Sequence, residues 1–321
     1  MTGQAVAPAQ AGRRVACFYL LATALGLAGW VPYGAQQAGI LHTHLSADLP
    51  LIAQYSPTVA ALVLVGLEGG WDGLARFLRR SLNPRVGWRW FAIAALIPPA
   101  MALTLVGLQA AAGHAPPLAA LGAWHTHVAA FVVGTSGGLA SSGALQGLAH
   151  LSSQGPAAAA LVVIGLALAN GGVSEEAGWR GYAMAALAPG RRALTAALIV
   201  GVMWGLWHTG PVFWTGVFRS DWRVLAIPLE YTLGAIPLAV MIGWVFLRAN
   251  GSLLPGMVFH ASYNSTYLFL TALWTPGRPV VSVLAWLAAT YVAAALVAAI
   301  GRRTLLGRAG AAESRPLAQV A

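Results

Sequence analysis

Glu175 and Glu176 are adjacent carboxylates, with Arg180 four residues beyond the second, in a chain of which only 8% is charged. Two histidines, His208 and His260, lie in equally apolar surroundings further on. A charge in hydrocarbon costs roughly 2.5 kcal/mol or more even on lenient insertion scales, so such groups persist where they have partners and a task. On a helix, Glu176 and Arg180 share a face with the acid N-terminal, the favourable order for an ion pair. Glu175 points about 100° away and is not that arginine's natural partner. The expected division is a buried, charge-assisted Glu176–Arg180 pair and a Glu175 left to face a cavity. A carboxylate shielded from water is a stronger base than a solvated one, which suits a general base acting on water.

Two further segments extend the set. Trp204-Gly205-Leu206-Trp207-His208 places an aromatic residue four before a histidine, and His260-Ala261-Ser262-Tyr263-Asn264 places a carboxamide four after one. At that spacing His260 and Asn264 face the same way. A neutral imidazole and a carboxamide on one face offer two donors toward a developing oxyanion. Depth along the helices gives a check. Glu175 precedes Pro189 by fourteen residues and His208 follows Arg192 by sixteen, so both lie roughly 21–24 Å from the turn between them. His260 is eight residues past Ser252, only about 12 Å in by the same arithmetic, a mismatch that tilt or an early helix break must absorb.

The elements that must position these groups are membrane helices. The 321 residues are 58% hydrophobic with mean hydropathy +0.71 and thirteen tryptophans, too apolar for a soluble domain of this length. The expected fold is all-α, a polytopic transmembrane bundle of about eight helices near 15–35, 51–69, 88–111, 156–188, 193–213, 224–247, 252–274 and 280–300. The stretch 118–150 is weaker, broken by His125, His127 and a Gly/Ser-rich run. Every basic residue is arginine. If 118–150 makes an even number of crossings, only Arg219, Arg223 and Arg278 fall on the outer side and Arg180 within the membrane; the other arginines fall inside, with both termini cytoplasmic. The net charge of +10 is therefore a topology signal rather than a nucleic-acid surface. Cys17 stands alone, which excludes a disulfide framework and a thiolate metal site. The apolar run after Arg13 and Arg14 reads as a retained helix, because no clean small-residue cleavage site follows. Trp71 to Arg89 reads as a basic, Trp-bearing loop on the cytoplasmic membrane surface, and the tail after Gly307 as disordered.

E-E-x-x-x-R, then aromatic-x-x-x-H, then H-x-x-x-N, on three hydrophobic helices in that order, resembles the CPBP family. These are the CAAX-protease and bacteriocin-processing intramembrane proteases, known also by the Abi label. The motifs occupy 174–182, 204–208 and 260–264; each alone is weak, and the ordered set is specific. Trp204 stands where many members carry Phe, another large aromatic. The resemblance implies an intramembrane endopeptidase domain over 15–300 with its motif core at 156–274, between a cytoplasmic segment 1–14 and a tail 301–321. Carried over by position, Glu175 activates a water with help from His208, His260 and Asn264 stabilise the tetrahedral oxyanion, and Glu176 and Arg180 hold the site together. The family label is metalloprotease. Glu175, His208 and His260 could bind zinc with an open fourth position, whereas a glutamate–histidine dyad needs no metal, and both readings stand. The implied partners are the lipid bilayer and a peptide or protein substrate in or at the membrane, CAAX-type or a small membrane peptide, in a bacterial plasma membrane.

Plainer readings stand beside these. Glu175, Glu176 and Arg180 alone would equally make a structural ion-pair network, and His208 or His260 alone a hydrogen-bonded core histidine. His42, His44, His114, His125, His127 and His150 look ordinary. Trp30, Trp88, Trp90, Trp274 and Trp286 fall near helix ends, as an interfacial belt would, while Trp179, Trp204 and Trp207 flank the motifs as cavity walls. Gly201 and Gly205 form a packing G-x-x-x-G. Glu230 has no evident partner. A scaffold or proton-coupled transporter using the same buried carboxylates is the rival class.

Overall fold

The computed structural model describes residues 8–46, 48–113, 124–126, 128, 143–189, 192–208, 210, 226–274 and 279–307. They form a helical membrane bundle: α1 (Pro8–Gln37), α2 (Leu49–Ala53), α3 (Ser56–Ser81), α4 (Trp88–Ala111), α5 (Gly143–Ser153), α6 (Pro156–Leu187), α7 (Ala193–Trp207), α8 (Ile227–Arg248), α9 (Leu254–Trp274), α10 (Pro279–Ile300) and α11 (Arg302–Leu306). Among the described residues α1, α3, α4, α6, α8 and α10 are long and apolar enough to cross a membrane. α7 is shorter, at 15 residues. α9 is long enough, but His260, Ser262, Asn264, Ser265 and Thr266 interrupt its apolar run. Polar groups on a helix of membrane length face protein rather than lipid. The tail after Gly307 and most of 118–150 fall outside the described residues; within the latter, α5 runs for 11 residues and packs on the start of α6.

α6 is the central element. From Ser174 to Ala185 every residue is buried. Two π-helical stretches, Leu168–Val173 and Ala177–Met184, flank the two glutamates. Wider π turns inside α-helices frequently mark functional sites, because they re-aim side chains against the regular 3.6 period. Glycines allow its neighbours to approach. A Cβ at Gly178 would stand 2.6 Å from the Pro57 carbonyl of α3, and one at Gly172 would stand 2.9 Å from the Met257 carbonyl of α9. Gly201 and Gly205 do the same for α7 against α8, where a Cβ at Gly201 would meet the Ile236 Cα at 2.7 Å.

Three features depart from the sequence reading. α3 does not end near 69: the chain turns at Gly70 (φ 58, ψ −158) and continues as helix to Ser81. Glycine alone adopts that conformation cheaply, so the basic segment is largely helix rather than loop. Trp71 and Trp88 are exposed there, as are Arg76, Arg79, Arg85 and Arg89. Second, Trp30 and Trp286 are core residues rather than belt residues. Trp30 donates its indole N–H to the Pro50 carbonyl and lies 5.0 Å from Trp207, while Trp179 packs edge-on against Phe18 at 5.3 Å. Third, residues 251–253 of the turn from α8 to α9 are buried against the end of α3. Ser252 donates to the Asn83 carbonyl at 2.8 Å, and the Leu253 N–H donates to the Ser81 carbonyl at 2.8 Å. α9 therefore starts beneath the end of α3, the direction of shift that the depth of His260 requires.

Candidate active site

Glu176 is fully buried, and its Oε1 accepts from two partners. Arg180 Nη1 donates at 2.9 Å from one turn along α6, and His260 Nδ1 lies 2.8 Å away from across α9. With Arg180 holding the same oxygen, Glu176 is the acceptor and His260 carries its proton on Nδ1. A neutral ring in that tautomer has no N–H left on Nε2; donation from Nε2 requires the imidazolium. Among the described residues Glu176 Oε2 and Arg180 Nε and Nη2 have no hydrogen-bond partner, but the guanidinium sits 4.4 Å above the centre of the Trp204 ring, a cation–π contact.

Glu175 turns the other way, as its spacing predicts. It is 4% exposed, and its Oε2 accepts the Trp204 indole N–H at 2.5 Å. The same tryptophan's carbonyl lies 2.9 Å from His208 Nδ1. A carbonyl can only accept, so Nδ1 is protonated and the neutral ring keeps a lone pair on Nε2. His208 is sandwiched by aromatics: Tyr231 stacks on it at 4.5 Å with planes 10° apart, and Trp207 meets it edge-on at 4.9 Å. α7 and α8 can bring these rings together because Gly205 lies against the Thr232 backbone, next to Tyr231.

His260 and Asn264 converge on Gly171. A Cβ on that residue would stand 2.8 Å from His260 Nε2 and 2.9 Å from Asn264 Nδ2. The two nitrogens thus face one spot on the first π-helical stretch of α6. The six residues singled out from sequence therefore gather, with Glu176, Arg180 and His260 joined directly, Glu175 and His208 both bound to Trp204, and Asn264 beside His260. Sequence reasoning missed the Trp204 N–H, the Tyr231 stack and Gly171. The Gly-Gly pair at 171–172, one turn before Glu175, was the available signal for the last. Glu230 is exposed in the first turn of α8.

Among the described residues no three His, Cys, Asp or Glu side chains lie together so as to hold a metal ion. Glu176 beside His260 Nδ1 and the Trp204 carbonyl beside His208 Nδ1 leave Nε2 as the lone-pair nitrogen of both neutral rings.

Residues 157–266, which span the whole arrangement, match the family of type II CAAX prenyl endopeptidases described as Rce1-like. In this stretch the chain is similar to that family. A similar protein is the CAAX prenyl protease 2 of Methanococcus maripaludis, 29% identical over 92 residues. That alignment covers 28% of this chain and 34% of the relative, so the likeness spans about a third of the relative's length. The matched region holds all three of the motifs described above, from Glu175 to Asn264.

Proposed function

We propose that the protein is an intramembrane endopeptidase that hydrolyses a peptide bond of a membrane-associated substrate, a CAAX-type tail or a small membrane peptide. The observation that carries this is the unequal treatment of two adjacent carboxylates. Glu176 is locked by Arg180 and His260, while Glu175, among the described residues, is held through Oε2 by the Trp204 indole. Further support comes from the CPBP match and from what the relative's name says of that protein.

Glu175 takes a proton from a water, with His208 Nε2 as a second acceptor. The hydroxide equivalent attacks the scissile carbonyl carbon, and the carbonyl oxygen becomes an oxyanion. Asn264 Nδ2 and the imidazolium form of His260, charge-balanced by Glu176, donate to that oxygen. Collapse breaks the C–N bond, and the proton held by Glu175 passes to the leaving amine. One well-placed oxyanion donor is worth roughly 10²–10³ in rate. These steps use side chains alone. The chain crosses the bilayer several times, with its arginine-rich ends on the cytoplasmic side.

The test is reconstitution of the purified protein in liposomes with two peptides of one sequence, prenylated and unmodified, and mass spectrometry of the products. A new cleavage product in either supports the endopeptidase, and the ratio between the two reports the substrate class. Proton flux without any product would identify a transporter instead.

A further inference from the structure

We propose that Trp204 is a positioning residue for Glu175, acting through its indole N–H; this rests on the endopeptidase reading. The N–H fixes Oε2 and thereby aims Oε1, the oxygen left to receive a proton from water.

Other tryptophans of this protein show that the contact is not a by-product of packing. Trp179 is buried with an indole nitrogen that has no hydrogen-bond partner among the described residues, and Trp30 and Trp207 donate to a backbone carbonyl and a serine hydroxyl. Trp204 is as buried as these, at 2% exposure, and its N–H reaches a carboxylate. A hydrogen bond to a charged acceptor is about twice as strong as a neutral one, so it orients the group it holds. The ring cannot swing away. Arg180 lies over its face at 4.4 Å, His260 meets it at 5.1 Å with planes 72° apart, and Gly205 holds this part of α7 against the Thr232 backbone. The residue also reaches His208, through its carbonyl at 2.9 Å. Both groups that face the water are thus referenced to one residue, Glu175 through the side chain and His208 through the backbone. Trp204→Phe removes only the first link, because the backbone carbonyl remains.

The experiment uses the full chain, labelled with ¹⁵N at tryptophan indole nitrogens, in detergent micelles. The Trp204 signal is the one that vanishes in Trp204→Phe, and the indole signals of the other tryptophans staying in place shows that this variant folds. Glu175→Gln is expected to move the Trp204 signal upfield, because a neutral amide is a weaker acceptor than a carboxylate. In the peptide assay Trp204→Phe is expected to lower kcat by about ten- to a hundredfold with KM unchanged, the loss that accompanies a small misplacement of a reacting group. A Trp204 signal indifferent to Glu175→Gln, or a folded Trp204→Phe protein with full kcat, overturns the proposal. If the unmodified protein cleaves nothing, the endopeptidase reading falls while the indole signal still decides whether Trp204 holds Glu175.

Discussion

His260 Nδ1 lies 2.8 Å from Glu176 Oε1, joining residues 84 positions apart on α9 and α6. Arg180 donates to the same oxygen, so a single buried atom fixes both the ion pair and the orientation of the imidazole. Glu176 is thereby the anchor of the site, and Glu175, one residue earlier, is held through Oε2 by the Trp204 indole.

Removing the cation should therefore damage the fold more than neutralising Glu175, the proposed base. Arg180→Ala strands a buried carboxylate beside His260 and is expected to cost about 3–5 kcal/mol. Glu175→Gln keeps the shape and a hydrogen-bond acceptor, and is expected to cost about 1 kcal/mol. Thermal melting of the two variants in one detergent checks this; equal melting temperatures would contradict the division of labour.

Gly171 faces both nitrogens of the proposed oxyanion site. In Gly171→Ala the new methyl group would stand within 3 Å of His260 Nε2 and Asn264 Nδ2, so the side chains must give way. The expected result is a loss of turnover of roughly a hundredfold, comparable to losing an oxyanion donor, with a much smaller change in melting temperature. Retained turnover would show that the two nitrogens do not act at that spot.

Gly205→Ala should act on the fold, because its methyl group would meet the Thr232 backbone rather than a movable side-chain end. Overpacking of this kind costs about 1–3 kcal/mol. Separation of α7 from α8 should also loosen the Tyr231–His208 stack, so melting temperature and turnover are expected to fall together.

Glu68 ties three helices at a distance from the chemistry. It accepts from Arg14 of α1 and from the Tyr182 hydroxyl of α6 at 2.7 Å, while Arg14 also lies over the Tyr182 ring at 5.6 Å. The carboxylate is a third exposed, at 34%, which discounts the ion pair. Glu68→Ala is expected to lower stability by about 1 kcal/mol and to leave cleavage per folded molecule unchanged.

Local spacing made part of this arrangement legible. Glu176 and Arg180 are four apart and do pair, and the offset of Glu175 by one residue correctly sends it to a different partner. The membrane helices follow from apolar runs of bilayer length. Periodicity carries no information about which faces meet, however, so the contacts of Trp204 with Glu175 and of His260 with Glu176 were not foreseeable from it. Two π-helical stretches also shift the phase of α6 around the glutamates, and Gly70 extends a helix past the apparent end of its apolar run. The tryptophans mislead for a related reason: nearness to a helix end does not distinguish Trp88, exposed at 74%, from Trp30, which a neighbouring helix buries to 1%.

The most direct measurement of the central claim is single-turnover cleavage of a membrane peptide by reconstituted protein, comparing the unmodified chain with Glu175→Gln at matched folded amounts. The account predicts that the variant retains peptide binding and its fold while the cleavage rate falls by a thousandfold or more, on the order of the rate lost when a positioned base is removed. Cleavage by Glu175→Gln at an undiminished rate would contradict it and take the role of base away from Glu175.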